Sequence, residues 1–327
     1  MTTSRLLKFV PGYVVAAICL VWIFHDVQWP RLLAGMAGIR WRWVLLAIVF
    51  DVICYVCQGW RWQLLLRPKG SVSTLKATEA IYIGLFVNAL LPMRVGEVLR
   101  GHLVARWLDA DFSAILPSMV VERLLDGILL VVSLGVAAIF VQQLPPEMLK
   151  ASDVLGVAMV AGTVLFAFIV FREGAHPPEP EPPARFTRIH VIRRFMRVLE
   201  QDLREIGRSR ELYLSFAVSF LLLLGQALAF WLIMWAYGLR LSFWAGAAIF
   251  LIMHLGTVIP SAPANLGTYQ FFTVVGLVLF GVDKTVATGF SLVAFFLLTL
   301  PLWVAGALAA SRTGTTFAAV RKEFDSL

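Results

Sequence analysis

Arg94, Glu97 and Arg100 recur at every third position of the run Asn88-Ala-Leu-Leu-Pro92-Met-Arg94-Val-Gly96-Glu97-Val-Leu-Arg100. Pro92 removes a backbone donor and stops the helix before it; a new half-helix is expected to start near Gly96. A helix start carries unpaired N–H groups and partial positive charge. With Arg94 beside it, this start forms a cradle for a phosphate or carboxylate. Glu97, in the first turn, either caps the helix or holds Arg94. The competing reading is that Arg94, Glu97 and Arg100 only neutralise one another.

A second constellation is Glu122, Arg123 and Asp126. Glu122 and Asp126, four apart, share one helix face, and Arg123 lies about 100° round from Glu122. Arg123 with Glu97, and Glu122 with Arg94 or Arg100, would satisfy these charges. They then either lock the segment around Gly96 in place or bind protons or substrate. A third group, Pro260, Ser261, Pro263, Asn265, Gly267, Thr268, Tyr269 and Gln270, follows His254. It offers a second helix start and hydrogen-bonding groups without a charge, and it is equally the composition of a turn. His254, Asp51, Gln58, Arg61 and Gln226 are weaker candidates, read first as satisfied polar residues. Cys54 and Cys57 form a C-x-x-C, but two ligands fall short of the four that a closed zinc site needs, so neither a metal nor a cofactor is expected. No G-x-x-x-x-G-K, G-x-S-x-G or H-E-x-x-H is present.

The elements that carry these residues are set by composition. Of 327 residues 60% are hydrophobic and 15% charged, with mean hydropathy +0.82; soluble domains are about 45–50% apolar and about 25% charged. The chain is therefore an all-α polytopic membrane protein, 1–327 forming one membrane domain. The net charge of +8 reflects arginines in connecting segments and points to membrane topology instead of nucleic acid. The apolar run after Arg5 and Lys8 ends in Trp22, Phe24, His25 and Asp26 without a small-residue cleavage site, so it is read as a first span that is kept.

Six segments approach the roughly 20 apolar residues of a span: about 9–25, 43–66, 113–141, 152–171, 212–237 and 285–310. The stretches 78–91 and 243–259 are too short. Each runs into Pro, meets Gly four residues after a Pro (Pro92 to Gly96, Pro263 to Gly267), resumes as a short helix and reaches an aspartate turn before a full span. Broken backbone at membrane depth needs protein or water around it, so these read as two re-entrant helical hairpins in a repeat, 43–141 and 212–310. An odd number of spans between the two inverts their orientation, which lets the hairpin tips meet near the midplane, where transporters of this layout bind their substrate.

The segment 172–211 carries nine Arg and is expected in the cytoplasm together with 67–77 and both termini; the arginines of 26–42 disagree with this orientation. Within it, 176–183 is a stiff Pro-rich linker. The apolar spacing of Ile189, Ile192, Met196, Leu199, Leu203 and Ile206 makes an amphipathic helix, lying on an anionic membrane surface or packed over the bundle.

These motifs, NALLPMRVGEVLR, VVERLLDGILLVV, IPSAPANLGTYQ and FGVD, resemble the lysylphosphatidylglycerol synthase transmembrane region, a family of flippase-like membrane proteins, over about residues 5–312. The resemblance implies a multi-span domain that moves a lipid between leaflets of the bacterial cytoplasmic membrane. Larger members add a soluble aminoacyl-transferase domain; the sequence reaches Leu327 without one, so synthase activity is not expected. The substrate-binding candidates are Asn88, Pro92, Arg94, Gly96, Glu97, Arg100, Glu122, Arg123, Asp126, Pro260, Pro263, Asn265 and Gly267. The partner is a membrane lipid. Two other functions stay open: a membrane partner of lipid, hopanoid or polysaccharide synthesis enzymes, and an intramembrane enzyme using Glu97 or Glu122 as base.

Overall fold

The computed structural model describes residues 10–91, 94–140, 146–171, 200–258 and 262–314. In chain order the helices are α1 (Val10–Phe24), α2 (Trp29–Ala37), α3 (Trp41–Leu66), α4 (Thr74–Leu90), α5 (Val95–Trp107), α6 (Phe112–Phe140), α7 (Pro146–Phe171), α8 (Arg210–Tyr237), α9 (Phe243–Gly256), α10 (Thr268–Leu279) and α11 (Lys284–Arg312), with a helical stretch at 200–207. The chain is all-α, as its composition requires. Helices α3, α8 and α11 are each long and apolar enough to cross a bilayer, and α1 with α2 passes the same test as one span bent by 92°. Helix α6 is as long as α11, 29 residues, but carries Glu122, Arg123 and Asp126 in its middle.

Two expectations change. The segment 26–42, outside the six expected spans, contains α2; Pro30 suits its first turn, where a missing N–H costs nothing, and the chain bends at Asp26, which takes a left-handed φ of 64°. Helix α7 starts at Pro146, six residues before the span expected there.

Helices α3 and α8 run antiparallel and form the most extensive helix pair. The α8 start is tied to the end of α3 by Arg67–Glu211 at 3.0 Å. Its other end meets the chain near α2, where Arg40 N–H donates to the Ala236 carbonyl at 3.0 Å. Over 28 residues α8 spans about 42 Å, close to the full thickness of a bilayer with its headgroups.

The two interruptions fold back as helical hairpins. Helix α4, capped by Ser73, returns as α5, and α9, capped by Ser242, returns as α10. Packing across the first hairpin is close: a Cβ on Gly96 would stand 1.9 Å from the Gly84 carbonyl oxygen. The feet of this hairpin lie at the Glu211 end of α8, with Leu108 against Gly70. The feet of the second lie at the opposite end, where Tyr237 touches Gly289 at the start of α11. The hairpins therefore enter the bundle from opposite ends. A large apolar core built on Phe230, Ile233, Phe250, Leu277, Phe290 and Phe295 supports the second.

The linker at 176–183 and the amphipathic positions before 200 lie outside the described residues. The described part of that helix packs over the bundle: Leu203 and Ile206 are buried with Leu65, Val121 and Leu125. Lys69–Asp202 at 2.5 Å holds 200–207 at the same end as the first hairpin's feet. Arg204 Nε and Arg208 Nη2 donate to the Ile169 and Val170 carbonyls at 2.9 and 3.0 Å, satisfying acceptors that the last turn of α7 cannot pair internally.

Candidate functional site

The chain between α4 and α5 turns through Arg94, held in the left-handed region at φ 54°, where a non-glycine residue is uncommon. This places Arg94 at the very tip of the first hairpin. Its Nη2 donates to the Thr257 carbonyl at 2.6 Å, on the tip of the second hairpin. The short 3₁₀ turn Pro263–Asn265 of that tip also packs against α4. The two breaks thus meet inside the bundle. Pro92 and Pro260 lie outside the described residues.

Behind the tip lies a charge cluster with two parts. Glu122 of α6, 0% exposed, is held by Arg100 of α5 at 2.9 Å and by Arg61 of α3 at 3.0 Å. Gln58 Nε2 adds a hydrogen bond to it at 3.1 Å. Arg61 also pairs with Asp126 and donates to Ser219 Oγ of α8 at 2.7 Å, while the Arg100 guanidinium lies over the Trp62 ring at 4.6 Å. Burying these charges is tolerable because each meets an opposite charge, although the Nε atoms of Arg61 and Arg100 are buried without a hydrogen-bond partner. Glu122 pairs with Arg100, one of its two expected partners, and not with Arg94. Its other close partner, Arg61, carries no local signal in the sequence: no acidic residue stands within four positions of it, and it finds its carboxylates 61 and 65 positions away.

The second part is open. Arg123 keeps 46% of its side-chain surface accessible. It approaches Glu97 at 3.5 Å, Glu122 at 3.4 Å and Asp126 at 3.6 Å. Arg94 stands 3.9 Å from Glu97. His254 of α9, its ring 4.4 Å from that of Phe250, lies within electrostatic reach of Arg94, Arg123 and Asp126. Across both parts four arginines face three carboxylates, leaving one positive charge in excess.

The helix starts themselves are occupied from within. Gly96 N–H donates to Asn88 Oδ1 at 2.7 Å, so Asn88 fastens α4 to α5. Gly267 N–H donates to Gln270 Oε1 at 2.7 Å. Gly267 has φ 89°, and a Cβ there would meet the Ala16 carbonyl oxygen at 2.7 Å, so α1 closes over the second tip. Asn265, at φ 56°, shapes the turn, and its carbonyl accepts from Thr268 Oγ1 at 3.1 Å. An anion at the first tip would therefore be received by arginine side chains, since the Gly96 amide is already used. Cys54 packs with Val218 and Leu222; among the described residues no group of three or more His, Cys, Asp or Glu stands together as metal ligands.

A membrane protein of Methanothermobacter thermautotrophicus described as a UPF0104 membrane protein is 25% identical to this chain over 299 residues, covering 85% of this chain and 86% of the relative. The family described as "Lysylphosphatidylglycerol synthase TM region" matches residues 9–306. That match takes in both hairpins, the charged helix between them and all but the last turns of α11, and the chain accordingly belongs to the lysylphosphatidylglycerol synthase transmembrane region family.

Proposed function

We propose that this protein moves a lipid with an anionic or polar headgroup between the leaflets of a cytoplasmic membrane, receiving the headgroup where the hairpin tips meet. The observation that carries this reading is the accessible pair Arg94 and Arg123 in a cluster that holds one positive charge in excess. Their carboxylate contacts, at 3.4 to 3.9 Å, are longer than ordinary charge-assisted hydrogen bonds. A phosphate can therefore displace them without breaking a tight pair. The buried pairs around Glu122 leave α5 in place while this happens.

Intramembrane ionisable residues at a meeting of broken helices mark substrate paths. The opposite entry of the hairpins supports reading 43–141 and 212–310 as inverted repeats, with the site at their interface. The basic loop 67–77 and the 200–211 segment share one end of the bundle. The positive-inside rule makes that end cytoplasmic and, on the span count of the sequence, both termini with it.

The test is leaflet exchange of labelled anionic lipids in liposomes carrying the purified protein. A lost hydrogen bond to a charged group is worth about 1.5–3 kcal/mol, so Arg94→Ala and Arg123→Ala should each slow exchange by about 10- to 150-fold. Glu97→Gln removes a competitor for the arginines and should strengthen lipid binding. No exchange across a broad lipid panel by folded protein would overturn the transport reading and leave the chain as a membrane partner of synthesis enzymes. Exchange indifferent to both arginine substitutions would keep transport and overturn the site.

A further inference from the structure

A second polar centre stands apart from the charge cluster. Asp51 lies in α3 ten residues before Arg61, about 15 Å along the helix. It is only 8% exposed, yet among the described residues it makes no hydrogen bond or ion pair. No arginine or lysine acts on it. The ionisable groups within electrostatic reach of it are Cys54 and Tyr55 on its own helix, Tyr82 on α4 and Tyr269 on α10. Helix α8 carries no ionisable side chain between Tyr213 and Tyr237, and α11 none between Lys284 and Arg312. The Tyr55 and Tyr82 rings are 5.8 Å apart, and the buried Tyr269 hydroxyl has no hydrogen-bond partner.

An ionised carboxylate without a counter-charge is costly at membrane depth, by about 2.5–3.5 kcal/mol on the mildest scale. The arginines of the charge cluster lie against Glu97, Glu122 or Asp126, and none of them forms an ion pair with Asp51. What neutralises Asp51 must therefore come from solution, and it must be small, because the residue is buried. Phenol hydroxyls suit either occupant: they donate to a carboxylate and offer oxygen to a hard cation. Tyr82 belongs to the entering helix of the first hairpin and Tyr269 to the returning helix of the second.

We propose that Asp51, Tyr55, Tyr82 and Tyr269 form a site for one small monovalent cation, a proton or an alkali ion, whose occupancy sets how the two hairpins sit against each other. Its use in lipid movement rests on the function proposed above; the site itself does not.

The test is the infrared carbonyl band of a protonated, buried carboxyl, recorded on the full chain in liposomes between about pH 5 and about pH 9, with and without sodium. Wild type should show a band that titrates in this range and is absent from Asp51→Asn. Sodium at constant pH removes the band if an alkali ion competes for the site and leaves it if the proton alone binds; either result fits. Tyr269→Phe should shift the titration midpoint by about one unit, tenfold in affinity, which keeps the test open should Asp51→Asn fail to fold. Wild-type spectra that match Asp51→Asn under every condition, a band that never titrates, or a midpoint unmoved by Tyr269→Phe would overturn the site. In the lipid assay a gradient of the cation should change the exchange rate of wild type and not of Asp51→Asn. Equal responses overturn the coupling alone. Absent lipid exchange overturns the proposed function, while the infrared result still decides the site.

Discussion

Glu122→Ala is the sharpest test of how the charge cluster is built. The carboxylate is 0% exposed and accepts from Arg100, Arg61 and Gln58 at 2.9 to 3.1 Å. Removing it leaves the buried Arg100 guanidinium without a counter-charge and Arg61 with Asp126 alone. Breaking a buried pair from one side costs about 3–5 kcal/mol, or about 5–10 °C in unfolding temperature for a chain of this size. Glu97→Ala is the matched control. Glu97 is partly exposed and its ion pairs are 3.5 and 3.9 Å long, so its loss should cost about 1 kcal/mol or less. The assay is thermal unfolding in detergent, followed by reaction of the buried Cys54 thiol. Adding Arg100→Met to Glu122→Met should recover more than half of the loss, since the remaining Arg61–Asp126 pair is complete in itself. Equal unfolding temperatures for the Glu122 and Glu97 variants would refute the division into a locked and an open part.

Gly96→Ala should destabilise by about 1–3 kcal/mol, because the new Cβ would stand 1.9 Å from the Gly84 carbonyl oxygen and force the first hairpin apart. Gly135→Ala, with nothing within 4 Å, should instead stabilise α6 by about 0.5–1 kcal/mol; thermal unfolding of both reports the contrast. In a background with Cys19, Cys54 and Cys57 replaced, cysteines at Arg67 and Glu211 should react with an impermeant thiol reagent from one side of the membrane and cysteines at Asp26 and Gly238 from the other. Labelling of Arg67 and Asp26 variants from the same side would contradict the opposite entry of the hairpins.

The sequence made the breaks legible because their causes are local. Pro92 and Pro263 remove backbone donors, Gly96 allows a close approach and Gly267 a positive φ, so the hairpins follow from four positions. Helix α2 was hidden because its cue, Pro30 in a first turn after Trp29, is short and its arginines invited a reading by charge alone. Residue type also announced Glu122, Arg123 and Asp126, but not their partners. Arg61 was underrated because its place in the cluster depends on α3 packing beside α6, a long-range contact that no spacing encodes. Asp51 was underrated for the opposite reason: its distinction is the lack of a partner, and a lack of contacts is visible only when every neighbour is in place.

The joints of the bundle differ in strength in a way that bears on movement. The first hairpin is fastened three times: Asn88 ties α4 to α5, Arg100–Glu122 ties α5 to α6, and Gly84 against Gly96 brings the backbones close enough to exclude side chains between them. Among the described residues, the polar contact between the tips is the Arg94 hydrogen bond to the Thr257 carbonyl, beside the packing of a short turn on α4. A hydrogen bond from a charged donor contributes about 1.5–3 kcal/mol, less than the cost of parting the buried pairs. On the function proposed above, Arg94 is also the residue that receives the anionic headgroup. A phosphate that took over this guanidinium would remove that polar tie between the hairpins in the same step, so on that proposal binding at Arg94 and loosening of the tips are one event and not two.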